Sequence, residues 1–171
     1  MKKEIDVEII ENYKDFAPPS TIKSTVDKLL TNTSSHFLSG LNYILLTNSA
    51  ALSYSKKRNK TWSKGKKVKI VDCLGLYHGN KRSSSKGIEL FIDNIIKAYK
   101  KQLFLPIARE VIIGEILFHE LGHHIHLTQR PKYQEREITA NQWSRLLLKE
   151  YLAKKYRLLY LLVKFIRKVR I

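Results

Sequence analysis

One nine-residue segment of the chain, FHELGHHIH, concentrates side chains that can bind a metal ion and move a proton. It contains His119-Glu120-Leu121-Gly122-His123, which matches the pattern H-E-x-x-H. On a helix, the i, i+4 spacing places the two imidazoles on one face, one turn apart, where both can bind the same ion. Glu120 then lies about 100° around the helix, beside the ion, where it can accept a proton from water. Because imidazole nitrogen is a good zinc ligand, the pattern predicts a zinc site.

A catalytic zinc site requires a third protein ligand in addition to the two histidines. Glu137 stands out, because it begins the segment EITAN, and only thirteen residues separate it from His123. An acid near the start of the next helix is stabilised by the helix dipole, and the turn at Pro131 lets that helix fold back along the first. The other candidates are Glu135, His126, His124 and His78. Among these, we expect His124 to be exposed or to lie behind the ligands.

The two motifs together resemble the gluzincin metallopeptidases, in which H-E-x-x-H on one helix is joined by a glutamate from the following helix. The E-x-x-A-N form of residues 137–141 also looks like the ImmA/IrrE type, which cleaves phage repressors, and the small size looks like minimal single-domain gluzincins. The resemblance covers roughly residues 68–150. It implies a zinc-dependent endopeptidase in which His119, His123 and Glu137 bind Zn²⁺. In such an enzyme Glu120 is the general base and then the general acid.

Two long helices must position these residues. Pro106 suits the first position of a helix that extends to about Leu127, and apolar residues recur along it at spacings of three and four. A second helix starts near Gln134 and extends beyond Tyr151. Gly122 falls inside the first helix, where glycine is less favourable than alanine by about 1 kcal/mol. Its presence predicts that another part of the chain approaches the backbone closely at that point.

The remaining pattern predicts short strands and one more helix, and therefore an α+β fold. Residues 4–10 are expected to form a short strand or an ordered arm, and residues 41–47 a buried strand, with a helix as the alternative. A helix is expected over 21–31. Segments 68–78 and 87–93 are expected to be two strands of a hairpin with a long basic turn. We expect a small mixed sheet packed on helices, in a zincin-like arrangement that includes the active-site helix and the glutamate helix.

In a zincin-like fold, residues 87–93 would be the edge strand above the cleft, to which an extended substrate adds by main-chain hydrogen bonds. An internal core strand is the alternative for this segment. Peptide hydrolysis also needs a group that stabilises the oxyanion. The sequence does not choose among four candidates: Tyr77, His78, His126 and Tyr133.

Composition bounds the class of protein. The chain has 171 residues, 43% of them apolar, which is the size and balance of one folded domain over residues 1–171. We expect residues 1–20 to be an N-terminal arm and residues 158–171 a basic amphipathic tail. A single cysteine, Cys73, excludes an intrachain disulfide and a cysteine-based zinc cluster. No apolar run is long enough for a transmembrane helix, and these features together predict a cytoplasmic protein.

The charge balance points to a second class of partner. Thirty-two Lys and Arg against fifteen Asp and Glu give a net charge of +17. Residues 55–69 hold eight of these cations around Trp62, and we expect them to form a solvated loop. This loop and the tail 158–171 could attract nucleic acid or an anionic membrane surface. The competing hypothesis to a peptidase acting on proteins or peptides is therefore a basic nucleic-acid-binding or regulatory protein with a structural or inactive zinc site.

Overall fold

The computed structural model describes residues 7–63, 66–79, 85–129 and 136–157. Its strands are β1 (Glu8–Asn12), β2 (Tyr43–Thr47), β3 (Lys60–Ser63), β4 (Lys66–Lys69), β5 (Gly75–His78) and β6 (Gly87–Phe91). Its helices are α1 (Thr21–Thr31), α2 (Ser35–Leu38), α3 (Tyr54–Arg58), α4 (Ile92–Tyr99), α5 (Pro106–Gln129) and α6 (Arg136–Lys155). The fold is α+β, as the sequence predicts. The tail 158–171 lies outside the described residues, as do the first six residues of the N-terminal arm.

The centre of the fold is a four-stranded mixed sheet in the order β1-β2-β6-β5. Strands β1, β2 and β6 are parallel to one another, whereas β5 pairs antiparallel with β6. A parallel pair needs a crossover connection, which α1 and α2 supply between β1 and β2. Part of the predicted N-terminal arm, residues 8–12, is therefore a strand of the sheet.

The strand order corrects one prediction from the sequence. Strand β6 lies inside the sheet, and all five of its residues are buried. The edge beside α5 is β5, so residues 87–93 are not the edge strand that was expected. Their strand also ends at Phe91, because Ile92 and Asp93 begin α4. The internal position suits a segment in which even Glu89 is buried.

One face of the sheet forms the main core with α1 and α5. Alternation along β2 and β6 turns Ile44, Leu46, Ile88 and Leu90 to this face, and all four are fully buried. Helices α1 and α5 cover them with a second set of buried side chains: Val26, Leu29, Ile113, Leu117 and Phe118. Burying this apolar surface is the main force that fixes α5 against the sheet.

The lysine-rich segment 55–69 is folded, which corrects the prediction of a solvated loop. It comprises α3 and the antiparallel hairpin of β3 and β4. The expected strand 68–78 is likewise shorter, because a single 3₁₀ turn at Ile70–Asp72 separates β4 from β5. A second small core of Leu52, Cys73 and Phe91, with Val68 packed against it, attaches the hairpin to the domain.

Helix α6 packs along α5 and is held at its C-terminal end by a buried polar cluster. The Glu110 carboxylate accepts hydrogen bonds from the hydroxyls of Tyr151 and Tyr156, at 2.7 and 2.8 Å, and from the Lys155 ammonium. Burial alone would raise the pKa of Glu110, but these donors outweigh it and hold the pKa below the usual value. The cluster therefore stabilises the charged form of Glu110.

We predict that Glu110→Gln lowers the free energy of unfolding by about 1–3 kcal/mol at neutral pH, because it leaves buried donors poorly matched. A carboxyl whose pKa is lowered by folding stabilises the protein above its unfolded-state pKa. This contribution is lost as the pH falls through the folded-state value. Urea unfolding at neutral pH and at pH about 3 should therefore show a smaller difference between variant and wild type in acid.

The exposed Glu150→Gln on α6 is the matched control and should unfold like the wild type. A Glu110→Gln difference that is the same at both pH values would show that the charge of Glu110 does not stabilise the α5–α6 contact.

Candidate metal centre

The two histidines of the H-E-x-x-H motif lie on one face of α5, as their spacing predicts. The rings of His119 and His123 are 4.8 Å apart between centroids and nearly perpendicular. Both side chains are partly exposed, 19% and 16% respectively, to an open cleft of about 730 Å³. Their Nε2 atoms can therefore be reached by an ion and by solvent.

Glu137, in the first turn of α6, lies beside this pair. Its carboxylate oxygens are 3.6 Å from Nε2 of His119 and 3.5 Å from Nε2 of His123. One ligand atom from each of the three residues lies within 4.8 Å of the other two. A tetrahedral zinc ion with bonds of about 2.1 Å holds its ligand atoms about 3.4 Å apart. The three side chains could thus hold a metal ion with little movement.

Gly122 is the reason why α6 can bring Glu137 so close. A Cβ atom at Gly122 would lie 2.8 Å from both the Cα and the carbonyl oxygen of Ala140, a distance too short for any side chain. The two backbones touch at this point, and Glu137 lies one helical turn before Ala140. The close approach that the helix-interior glycine predicts is therefore confirmed, and its partner is the glutamate helix.

Asn141 adds a contact that the sequence analysis did not identify. His119 Nδ1 lies 3.1 Å from Asn141 Oδ1, so the ring N–H can donate to the amide oxygen and leave Nε2 free of its proton. Because Asn141 follows Glu137 by four residues, both lie on the same face of α6. The spacing of four residues from Glu137 was the one sign in the sequence that Asn141 belongs to the site. It could not be interpreted without knowing how α6 packs against α5.

The general-base candidate Glu120 lies between α5 and the edge strand β5. It is buried, and the backbone N–H of Tyr77 donates to its carboxylate. Its Cγ lies 2.9 Å from where a Cβ of Gly75 would be, so only glycine fits there. Burial raises the pKa of Glu120 to about 8; it outweighs the opposing hydrogen bond from Tyr77, and the charge of Glu137 adds a smaller increase. A dication held by Glu137 would act in the opposite direction.

Strand β5 is tied to α5 by a second contact. The Tyr77 hydroxyl lies 3.2 Å from Nδ1 of His124, whose Nε2 lies 3.0 Å from the Ser39 carbonyl oxygen. The carbonyl can only accept, so Nε2 carries the proton and Nδ1 accepts from the hydroxyl. Burial lowers the pKa of His124, which favours this neutral form. His124 is fully buried, so of the two expectations for this residue the exposed position is wrong.

The other candidates that the structure describes do not join the cluster of His119, His123 and Glu137. His78 Nε2 lies 2.6 Å from the buried Glu89 carboxylate, and His126 is buried within the α5 packing. Glu135 and Tyr133 lie outside the described residues. Of the four candidates for oxyanion stabilisation, Tyr77 is the one that lines the cleft in the described part of the chain. Its hydroxyl is already bonded to His124.

Four elements supply most of the cleft lining. Helix α5 forms its floor with the two histidines and Glu120, and α6 forms one side with Glu137 and Asn141. Strand β5 forms the opposite side. The β3–β4 hairpin contributes Thr61 and Val68 to the lining. The cleft is open to solvent above the two histidines.

Comparison with known proteins adds no assignment. No protein-family model, no curated protein and no solved structure matches this chain. The described helices also contain no segment that is long and apolar enough to cross a membrane.

We predict that Gly122→Ala forces α5 and α6 apart, because its Cβ cannot fit against Ala140. This shift moves Glu137, so zinc affinity should fall about tenfold or more. The measurement is zinc titration against a competing chromophoric chelator. Gly114→Ala in the same helix is the control, because its Cβ would meet only the ends of the Leu148 and Leu29 side chains. Unchanged zinc affinity in Gly122→Ala would contradict the proposed role of this contact.

A second prediction concerns Asn141. Replacing it with alanine removes the acceptor that orients the His119 ring, and loss of such a partner lowers metal affinity by about 10- to 100-fold. The same titration measures this effect. The neighbouring exposed Gln142→Ala should bind zinc as the wild type does. Equal affinities for Asn141→Ala and Gln142→Ala would show that the hydrogen bond does not orient His119.

Proposed function

We propose that this protein is a zinc-dependent endopeptidase that hydrolyses peptide bonds in proteins or peptides. The observation that carries the proposal is the meeting of His119, His123 and Glu137 at an open cleft, with the buried carboxylate of Glu120 beside them. Two imidazoles, one metal-binding carboxylate and one further carboxylate are the set that metal-assisted hydrolysis requires. The same set supports the resemblance to the gluzincins.

The donor set favours zinc. Two imidazole nitrogens and one carboxylate oxygen, with an open side, match three-ligand catalytic zinc sites. When bound, zinc would lower the pKa of a water molecule and polarise a substrate carbonyl. A structural zinc is normally closed by four protein ligands, whereas the described cluster has three and faces the cleft. This difference favours a catalytic role over a structural one.

Glu120 would transfer the proton. Its carboxylate accepts the Tyr77 backbone N–H, which fixes its position without a flexible partner. During hydrolysis Glu120 would take a proton from the attacking water and give it to the amine as the C–N bond breaks. Peptide hydrolysis then uses one water molecule and leaves Glu120 in its starting form.

The edge strand β5 would bind the substrate backbone. The carbonyl of Leu74 accepts a hydrogen bond from the Phe91 N–H, so the backbone polar groups of Leu74 point toward β6. Because these groups alternate in direction along a strand, those of Gly75 and Tyr77 point toward the free edge of the sheet. The Tyr77 N–H is already bonded to Glu120. We therefore propose that the N–H and the carbonyl of Gly75 bind the backbone of an extended peptide. We therefore propose a zincin-like fold in which β5, and not residues 87–93, is the strand above the cleft.

The proposal predicts that two substitutions separate chemistry from metal binding. Glu120→Gln should keep one zinc per chain but lower cleavage of an unfolded protein by about 10²- to 10⁴-fold, the contribution of a general base. His123→Ala should lose zinc, because a ligand is removed. Metal content by mass spectrometry and cleavage of a fluorescently labelled unfolded protein are the two measurements.

Glu115→Gln is the matched control for Glu120→Gln, because Glu115 lines the same cleft one turn before His119. It should keep both zinc and activity. Full cleavage by Glu120→Gln would overturn the assignment of the base, and stoichiometric zinc in His123→Ala would remove His123 from the ligand set.

A further inference from the structure

Three of the four lysine positions in the strands of the β3–β4 hairpin lie on one face. Lys60 lies directly opposite Lys69, and Lys67 lies opposite Trp62, so these positions share a face. Lys60, Lys67 and Lys69 are all exposed. The side chain of Trp62 lies outside the described part of the structure. The hairpin is thus a short ribbon with a row of lysines on its outer side.

The opposite face of the hairpin is turned toward the domain. Thr61 and Val68 pair across the two strands, are half-buried and line the cleft. Val68 also packs against the small core of Leu52, Cys73 and Phe91. The cationic face is therefore fixed outward, and a ligand bound to it would lie beside the cleft.

The pairing of Lys60 with Lys69 is unfavourable in the absence of an anion. Like charges directly opposite each other destabilise a strand pair, and a two-stranded ribbon is only marginally stable. The neighbouring sequence adds no acid, because no Asp or Glu occurs between Asp27 and Asp72. A polyanion bound along the ribbon would remove this repulsion.

Helix α3 extends the same basic surface. It adds the exposed Lys56 and Arg58 immediately before β3. Tyr54, at its first position, is 76% exposed, and the Arg58 guanidinium lies 5.7 Å from the centre of its ring. An exposed aromatic ring next to cations can stack on a base while its neighbours bind phosphates.

We propose that α3 and the outer face of the β3–β4 hairpin bind single-stranded nucleic acid. Lys67 and Lys69 are two residues apart on one strand and project about 7 Å from each other, which suits successive phosphates of an extended strand. Tyr54 would stack on a base. Binding depends on charge and stacking, so it is largely independent of base sequence.

A nucleic acid strand fits this surface better than a membrane does. An element that lies on a lipid surface buries the apolar face opposite its charged face. The apolar Val68 instead points into the domain.

The test compares two triple variants with the same net charge. Lys60, Lys67 and Lys69 are changed to Gln in the first, and the exposed Lys28, Lys149 and Lys154 of α1 and α6 in the second. Each is titrated, by fluorescence anisotropy, into a labelled mixed-sequence single-stranded DNA of about 20 nucleotides, longer than the site of a small module. The hairpin variant should bind on the order of 100-fold more weakly at about 0.1 M salt, and its salt slope should fall by about 2.

The control variant should bind like the wild type if the hairpin is the site. Equal weakening of both variants would mean that net charge alone attracts the DNA, and would overturn the proposal. The proposal would also be overturned if the wild type bound phosphatidylserine-containing vesicles, or an acidic protein, more tightly than it binds the DNA. The proposal does not depend on zinc, because binding is measured without cleavage and can be repeated with His123→Ala.

Discussion

The candidate site depends on the closeness of two helices at one point. Gly122 and Ala140 let the backbones of α5 and α6 touch, and no side chain fits between them. That contact fixes the register of α6, so that Glu137 reaches both imidazoles and Asn141 reaches the far side of one of them. At the other end of α6, the Glu110 cluster fixes the same pair of helices. The three candidate ligands are therefore positioned by packing rather than by a loop.

Glu120 shares α5 with His119 and His123, but the third candidate ligand and the candidate general base are positioned by different contacts. Glu137 comes from α6, whereas the position of Glu120 is set by the Tyr77 N–H and by the space that Gly75 leaves. Strand β5 is in turn tied to α5 through the buried His124. A change in α6 can therefore move Glu137 without moving Glu120, and a change in β5 can do the reverse. Metal binding and proton transfer should for this reason respond separately to substitution. The β3–β4 hairpin adds a third part, with one face toward the cleft and one toward solvent.

The sequence alone was sufficient to predict features that depend on the spacing of nearby residues. The spacing of His119, Glu120 and His123 needs only a helix to place them, and α5 is a helix over all of them. The long periodic helices and the first strand–helix–strand unit, residues 8–47, also agree with the prediction. Glycine within α5 predicted a close approach, although not its partner. Glu137 was one of several candidates until α6 was seen to fold back along α5.

The sequence was insufficient where the outcome depends on distant parts of the chain. Strand order is such a case, because an apolar strand such as β6 fits an edge or an interior position equally well in sequence. The lysine-rich hairpin was not predicted because lysine has a low propensity for β-strands. The hairpin is held instead by the packing of Val68 on a core built from Leu52 and Phe91. The role of Asn141 and the burial of His124 depend on α5 packing against α6 and β5.

X-ray absorption at the zinc edge of the purified protein tests the central claim most directly, because it reads the ligands around the metal. The account predicts one zinc per chain, with imidazole scattering from two histidines and additional oxygen ligands, at distances near 2.0–2.1 Å. Absence of zinc after purification and reconstitution would contradict it. So would a zinc spectrum dominated by sulfur, or by a single histidine.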